Sequence, residues 1–491
     1  MQTKTIETAA GPIVGREKNG PLLFAGIPYA EAPIEALRFK PPVPKARFTE
    51  PYEAFKFGPA APQVPTGGMT DSAPVRWSED CLSLNVSTPA CDDRKRPVLV
   101  WIHGGGYRTG QSSIPWYSGL PFATNGDIVT VSINYRLGAL GFTDLSHLGA
   151  AYESSAINGT LDQIEALRWV QANIAAFGGD PGAVTIAGES AGGFSVSTLI
   201  GCPAAQGLFH RAIPQSGAAH HTLSREASQQ VTEVFCEKLQ MKSLLELQAA
   251  PTETILDAQM AASAHFETGA GVTNRLGTSV SPFYPAHGTP ELPQTPLAAI
   301  QGGLGSDIAV LTGTNADETT LWGYGKVDSE KLHRIAATLG AQGALETYRE
   351  TRPEASDEDL LIALTTDHMF RIPAVRLAEA RAPHTRDTWM YLFNWHSRAS
   401  DGKLKATHAL EIPFAFNTLS APGVDAFIGP GAHPQKLADT MHQAWIAFIR
   451  DGDPGWERYA PDSRATMVFD DTSAVIVDPA PEERAAWDSA R

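Results

Sequence analysis

The 491-residue sequence is poor in cysteine: Cys81, Cys91, Cys202 and Cys236 are too few to make a disulfide framework. It has no apolar run near the roughly 18 residues that a membrane-spanning helix needs. Residues 1–20 scatter Thr, Glu, Lys and Gly and hold no apolar core of a secretory signal, which points to the cytosol. Positive charge is short as well. Lys and Arg number 38 against 54 Asp and Glu, a formal net charge of −16. Nucleic acid needs a basic footprint and an anionic membrane surface needs polybasic segments, so neither is expected as a partner. The acidity reads as a solubility feature. No repeat, low-complexity tract or Pro/Ser linker divides the chain, so one domain over residues 1–491 is expected. The zinc pattern H-E-x-x-H and the phosphate-loop pattern G-x-x-x-x-G-K-[ST] are both missing. No metal or cofactor is implied. Asn85-Val86-Ser87 and Asn158-Gly159-Thr160 match the glycosylation pattern, but without a secretory signal both read as chance.

What is present is an ordinary globular composition, 43% apolar and long enough to bury a large core. The first eighty residues are rich in Pro and Gly and read as a meandering β region. From Pro97 strands and helices alternate. Pro97-Val98-Leu99-Val100-Trp101-Ile102 and Ile128-Val129-Thr130-Val131-Ser132-Ile133 read as buried strands. Leu161, Ile164, Leu167, Val170, Ile174 and Phe177 follow a helical period that stops at Gly178-Gly179-Asp180-Pro181. Strands are also predicted at residues 308–313 and 388–393, and a late amphipathic helix at Leu437, Met441, Ala444, Trp445 and Phe448. Such alternation argues for an α/β fold, a mostly parallel sheet with helices on both faces. Residues 220–300 are helical and irregular and read as an insertion over the site.

The organising motif is Gly188-Glu189-Ser190-Ala191-Gly192, a G-x-S-x-G nucleophile elbow. It lies between the apolar strand Ala183-Val184-Thr185-Ile186-Ala187 and a helix over residues 191–200, as an elbow requires. Its glycines leave room for a strained serine backbone. A serine hydroxyl needs a base, and the oxyanion formed by its attack needs fixed N–H donors. Ala191 supplies one donor; His103-Gly104-Gly105-Gly106, after an earlier strand, is an HGGG-type loop that supplies others. His103 is expected to shape that loop. The acid is expected on a loop after a core strand, and Asp317 and Glu318 both qualify. Twelve of the fourteen histidines follow Ser190, so order alone does not choose the base.

Further motifs carry a resemblance. Phe24-Ala25-Gly26-Ile27-Pro28-Tyr29-Ala30, Leu37-Arg38-Phe39, Ser78-Glu79-Asp80-Cys81-Leu82, Asn134-Tyr135-Arg136-Leu137-Gly138, Phe177-Gly178-Gly179-Asp180-Pro181, Gly207-Leu208-Phe209 and Gln215-Ser216-Gly217 follow one another along the chain. Gly313-Thr314-Asn315-Ala316-Asp317-Glu318 and His408-Ala409-Leu410-Glu411-Ile412-Pro413-Phe414 complete the series. In this order they resemble the type-B carboxylesterases, the family of para-nitrobenzyl esterases and cholinesterases, nearly end to end. The resemblance implies an α/β-hydrolase fold and a Ser190, Glu318, His408 triad, with Gly105, Gly106 and Ala191 as the oxyanion hole. It implies a serine carboxylesterase acting on a small-molecule ester through an acyl-enzyme; the oligomeric state stays open, with a monomer plausible. Amide, carbamate and thioester substrates suit the same groups. An adhesion module of the kind that has lost the serine does not fit three intact triad positions. Two departures matter. Ala61 stands where secreted relatives carry the cysteine that bridges the position of Cys81, so Cys81 is expected as a buried free thiol. Asp71 stands where cholinesterases place the tryptophan that receives quaternary ammonium, so no choline site is implied; Trp77 is out of register. For His408, the Glu318 carboxylate and burial push in opposite directions, and titration within about one unit of the ordinary ~6.5 is expected.

Overall fold

The computed structural model describes residues 2–64, 75–240, 243–268 and 282–488. Its frame is a 13-stranded sheet. In chain order the strands are β1 Thr3–Thr8, β2 Gly11–Glu17, β3 Leu22–Pro28, β4 Tyr52–Glu53, β5 Ser83–Thr88, β6 Arg96–Ile102 and β7 Val129–Ile133. Then follow β8 Gly179–Glu189, β9 Arg211–Gln215, β10 Ala309–Asn315, β11 Thr388–Phe393, β12 Ala465–Phe469 and β13 Ala474–Val477. The order across the sheet is β1-β2-β3-β5-β7-β6-β8-β9-β10-β11-β12-β13, with β4 beside β2. From β7 to β12 all neighbours run parallel. The β1–β3 meander, β5 and the last strand β13 join antiparallel.

Burial on both faces explains the continuous apolar runs of the parallel strands. Along β6 the side chains alternate between two cores. Val98, Val100 and Ile102 pack with the helices Asn158–Asn173 and Ala191–Ile200. Leu99 and Trp101 pack on the other face with Trp445 and Phe448 of the helix Gln435–Asp451. The expected strands and helices are therefore present, with one difference. The strand before the elbow begins at Gly179, inside the predicted breaker. Arg96 pairs with Gly179, the register then shifts, and regular pairing resumes at Val98 with Val184. A bulge absorbs the Gly-Pro stretch. Asn85 and Asn158 of the two glycosylation matches are buried.

Two segments stand outside the sheet and its covering helices. Residues 220–300 carry the helices Arg225–Leu239, Leu244–Ala249, Thr252–Thr268 and Pro296–Gln301; residues 241–242 and 269–281 of this expected insertion lie outside the described residues. It is tied down by Arg38, which donates to the carbonyls of Gln248 and Ala250 at 2.7 Å, and by Gln259, which accepts from the Ala139 N–H at 2.8 Å. The second segment, between β10 and β11, has no counterpart in the sequence reading. Its helices Ser329–Thr338, Gln342–Thr351 and Asp357–Thr366 bury Leu332, Leu345, Tyr348 and Leu361 in a core of their own. It ends in a π-helical turn, Asp367–Arg371.

Candidate active site

The elbow is strained as its sequence requires. Ser190 has φ 57° and ψ −124°, outside the ordinary regions for a side-chain-bearing residue. A Cβ on Gly192 would lie 2.0 Å from the Ile102 carbonyl oxygen, and one on Gly188 would lie 2.6 Å from Gly192 itself. Only glycine fits at either place. The Ser190 N–H donates to the Gln215 carbonyl at 3.0 Å, which pins the turn to β9.

The loop after β6 comes against this turn. A Cβ on Gly104 would sit 3.1 Å from Ser190 Cβ. Gly105 and Gly106 have φ of 112° and 61°. Among the described residues, the N–H groups of Gly105, Gly106 and Ala191 donate to no acceptor. His103 is buried, its Nδ1 2.9 Å from the Gly104 carbonyl and its ring stacked on Tyr135 at 4.6 Å. Burial pushes it down to about 4, so it is neutral and shapes the loop.

Glu318 and His408 are 90 residues apart in sequence, yet their loops are joined by a hydrogen bond from the His408 N–H to the Glu318 carbonyl at 3.1 Å. Glu318 Oε2 lies 2.5 Å from His408 Nδ1, while Oε1 accepts the Asn315 N–H at 2.8 Å. Asp317 instead faces His396 at 3.5 Å. His408 is thus held from one side by Glu318, and the rings of Phe370 and Trp322 flank it at 4.9 and 5.2 Å.

The other side of the imidazole shows what sequence reasoning missed. His408 Nε2 lies 3.1 Å from Glu189 Oε1, and no hydrogen bond joins it to Ser190 Oγ. Glu189 is buried, and the same holds for Glu411, which accepts from Asn315 Nδ2 at 2.7 Å and Gln215 Nε2 at 3.0 Å. Burial pushes the Glu189 carboxyl up to about 8 and that of Glu411 up to about 7, with nearby carboxylates adding to both. Burial pushes His408 down, but Glu189, Glu318 and Glu411 outweigh it and raise His408 to about 9. The expectation of a value near 6.5 does not hold, because the charges of Glu189, in contact with the ring, and of Glu411 add to that of Glu318. A protonated Glu189 exerts no pull on His408, so the two titrate as one system. The direction common to both is that the cluster keeps protons at neutral pH. Glu189 lies within residues 188–192 and Glu411 within residues 408–414; the signal in the sequence was an acid set among small and apolar neighbours, and both are buried.

Ser190, Gly105, Gly106 and His408 line one cavity of about 470 Å³. Its apolar wall comes from Ile114, Leu321, Trp322, Met369, Phe370 and Phe427. Among the described residues, the stretch 220–300 contributes Tyr284 and the segment between β10 and β11 contributes Leu321, Trp322, Met369 and Phe370. Cys81 is a buried free thiol, pushed up by burial, and Cys91, Cys202 and Cys236 are free as well. Asp71 lies outside the described residues; Trp77 pairs with Ala60 in an isolated bridge. Among the described residues no cluster of His, Cys, Asp or Glu could hold a metal.

With this geometry in view, similarity to known proteins can be stated. The profile of the Carboxylesterase family matches residues 2–476. The chain is 35% identical to the para-nitrobenzyl esterase of Bacillus subtilis over 494 residues, which cover 99% of this chain and 98% of that protein. It is 35% identical to the phenmedipham hydrolase of Pseudarthrobacter oxydans over 97% of both chains. A solved carboxylesterase structure from Geobacillus stearothermophilus superposes with a TM-score of 0.87 at 37% identity, covering 98% of this chain and 99% of the other.

Proposed function

This chain belongs to the carboxylesterase family and is a carboxylic-ester hydrolase of α/β-hydrolase fold, and on that premise we propose that Ser190, His408 and Glu318 perform its chemistry. The observation that carries the assignment is the Glu318–His408 contact of 2.5 Å, on the wall of the cavity into which the strained Ser190 projects. His408 Nε2 takes the Ser190 proton as Oγ attacks the ester carbonyl. This requires the ring to lose its proton and Nε2 to turn from Glu189 to Oγ. Glu318 keeps Nδ1 protonated and offsets the charge of the imidazolium. The N–H groups of Gly105, Gly106 and Ala191, without another acceptor among the described residues, receive the oxyanion. His408 then protonates the departing alcohol, and water cleaves the acyl-enzyme through the same groups.

Amides, carbamates and thioesters suit the same groups, and one relative is named for hydrolysing phenmedipham. A panel of acyl-matched esters, amides, carbamates and thioesters ranks them. The chain is read as a single domain, with residues 220–300 and the segment between β10 and β11 forming the cap. Four unpaired cysteines support a reducing, cytosolic setting. The test of the mechanism is Ser190→Ala. Turnover of 4-nitrobenzyl esters should fall by about six orders of magnitude with the fold intact. Near-normal turnover would remove Ser190 from the mechanism.

A further inference from the structure

The most deeply buried arginines of this protein find acceptors. Arg38 meets Glu79, Arg136 meets Asp162, and Arg371 meets Asp367, each in a two-point contact. Arg381 has no carboxylate but donates to the Gly305 and Ile308 carbonyls and to Thr388. Arg108 differs from these. It is half-buried, it lines the catalytic cavity, and among the described residues it makes neither a side-chain hydrogen bond nor an ion pair. The chain carries an excess of carboxylates, yet none of the described ones forms an ion pair with it.

The local fold turns this side chain to the cavity. The Arg108 N–H closes a turn onto the Gly105 carbonyl at 3.0 Å. Tyr107, with φ 55°, points inward and packs on Phe142 and Tyr284 at 5.0 and 5.3 Å. Arg108 therefore rides on the same loop as the oxyanion donors, three residues from Gly105. Arg108 and Tyr284 line the same cavity, and the Arg108 charge works against the burial that pushes the Tyr284 phenol up. Among the described residues, the other ionisable groups on the cavity wall are the tyrosines Tyr117 and Tyr284 and the pair Glu189 and His408, already engaged with each other. A guanidinium stays charged at every working pH and presents a planar fork suited to a carboxylate. Left beside an apolar wall it lacks an acceptor that a bound molecule can supply.

We propose that Arg108 is a specificity-determining residue that selects esters carrying a second, anionic group, a carboxylate, in addition to the scissile ester. The inference rests on the reading of Ser190 and its loop as the reaction centre. Substrates of this class are half-esters of dicarboxylic acids and esters of hydroxy acids. The net charge of −16 disfavours the approach of such anions. Arg108 offsets this locally, where the ester is held.

The experiment compares two charge pairs on the purified full chain. On the acyl side it uses 4-nitrobenzyl hydrogen succinate and its neutral methyl ester. On the alcohol side it uses the butanoate of 4-(hydroxymethyl)benzoic acid and its neutral methyl ester. Release of the benzylic alcohol is followed in the wild type, Arg108→Gln and Arg108→Lys. In at least one pair, the ratio of kcat/KM for anion over neutral should fall about tenfold in Arg108→Gln, the scale of one charge-assisted hydrogen bond. Arg108→Lys should keep part of it, and added salt should shrink the wild-type ratio. The pair that responds shows which side of the ester Arg108 reads. Turnover of the neutral members by the variants reports that the site is assembled. Equal ratios in wild type and Arg108→Gln for both pairs would overturn the inference while leaving the esterase mechanism in place. A wild type inactive on all four compounds would overturn the reading of the site and this inference with it.

Discussion

Glu189→Gln should move the acid limb of the kcat/KM profile downward. The substitution removes one negative charge 3.1 Å from His408 Nε2 and keeps nearly the same volume. At that separation, an effective dielectric of about 20 gives roughly 5 kcal/mol of attraction, worth three to four pH units if nothing else responded. Burial opposes it, and three carboxylates together hold His408 at about 9 rather than 6.5. Glu189 is itself raised to about 8, so it is largely ionised at the midpoint of the limb but loses its charge as pH falls below it, which trims its share. A displacement of about one to two units is therefore expected from its removal. The sign follows from charge. Ionised Glu189 favours the imidazolium, the imidazolium cannot accept the serine proton, and its loss lets His408 become neutral at lower pH. The assay is kcat/KM on an uncharged ester from pH 5 to 10, with folding checked by circular dichroism at each pH. The wild-type limb should lie above 6.5, falling about tenfold per pH unit below its midpoint. A limb in Glu189→Gln that coincides with the wild type, or lies above it, would refute the reasoning.

The neighbouring acids should behave unequally. Glu318→Gln should lower kcat by about three to four orders of magnitude, as loss of the orienting acid does in such triads, whereas Asp317→Asn should stay within about threefold; steady-state kinetics decides, and the reverse order would move the acid by one position. Two glycines should respond in opposite ways to alanine. Gly192→Ala, with its Cβ 2.0 Å from the Ile102 oxygen, should cost about 3 kcal/mol or more, while Gly343→Ala, in a helix with open space, should gain about 0.5–1 kcal/mol, both read by urea unfolding. With all four thiols free, the melting temperature should not respond to dithiothreitol; a clear fall would reveal a disulfide.

The sequence made the frame readable because buried parallel strands are apolar throughout and the elbow needs glycine where backbone would otherwise collide. The residues 388–393 predicted as a strand coincide with β11. The pairing of Glu318 with His408 was not readable from spacing, since 90 residues separate them and Asp317 is chemically as suitable. It came from the order of many motifs. Glu189 was in view from the start, but a one-dimensional motif does not say which way its side chain points. Only the fold aims it at the ring. The segment between β10 and β11 was missed for a different reason. Its helices close a core among themselves, so their periodicity looks like that of any surface helix. That it supplies Trp322 and Phe370 to the cavity depends on its docking, which no local pattern carries.

The central claim is that Ser190 is the nucleophile activated by His408. Diethyl 4-nitrophenyl phosphate, incubated with the folded protein and followed by peptide mass spectrometry, tests it most directly. A single diethylphosphoryl group should appear on Ser190, in step with loss of ester turnover, and the labelling rate should fall by about three to four orders of magnitude in Glu318→Gln. A stoichiometric adduct on any other residue, with Ser190 unmodified and activity lost, would contradict it.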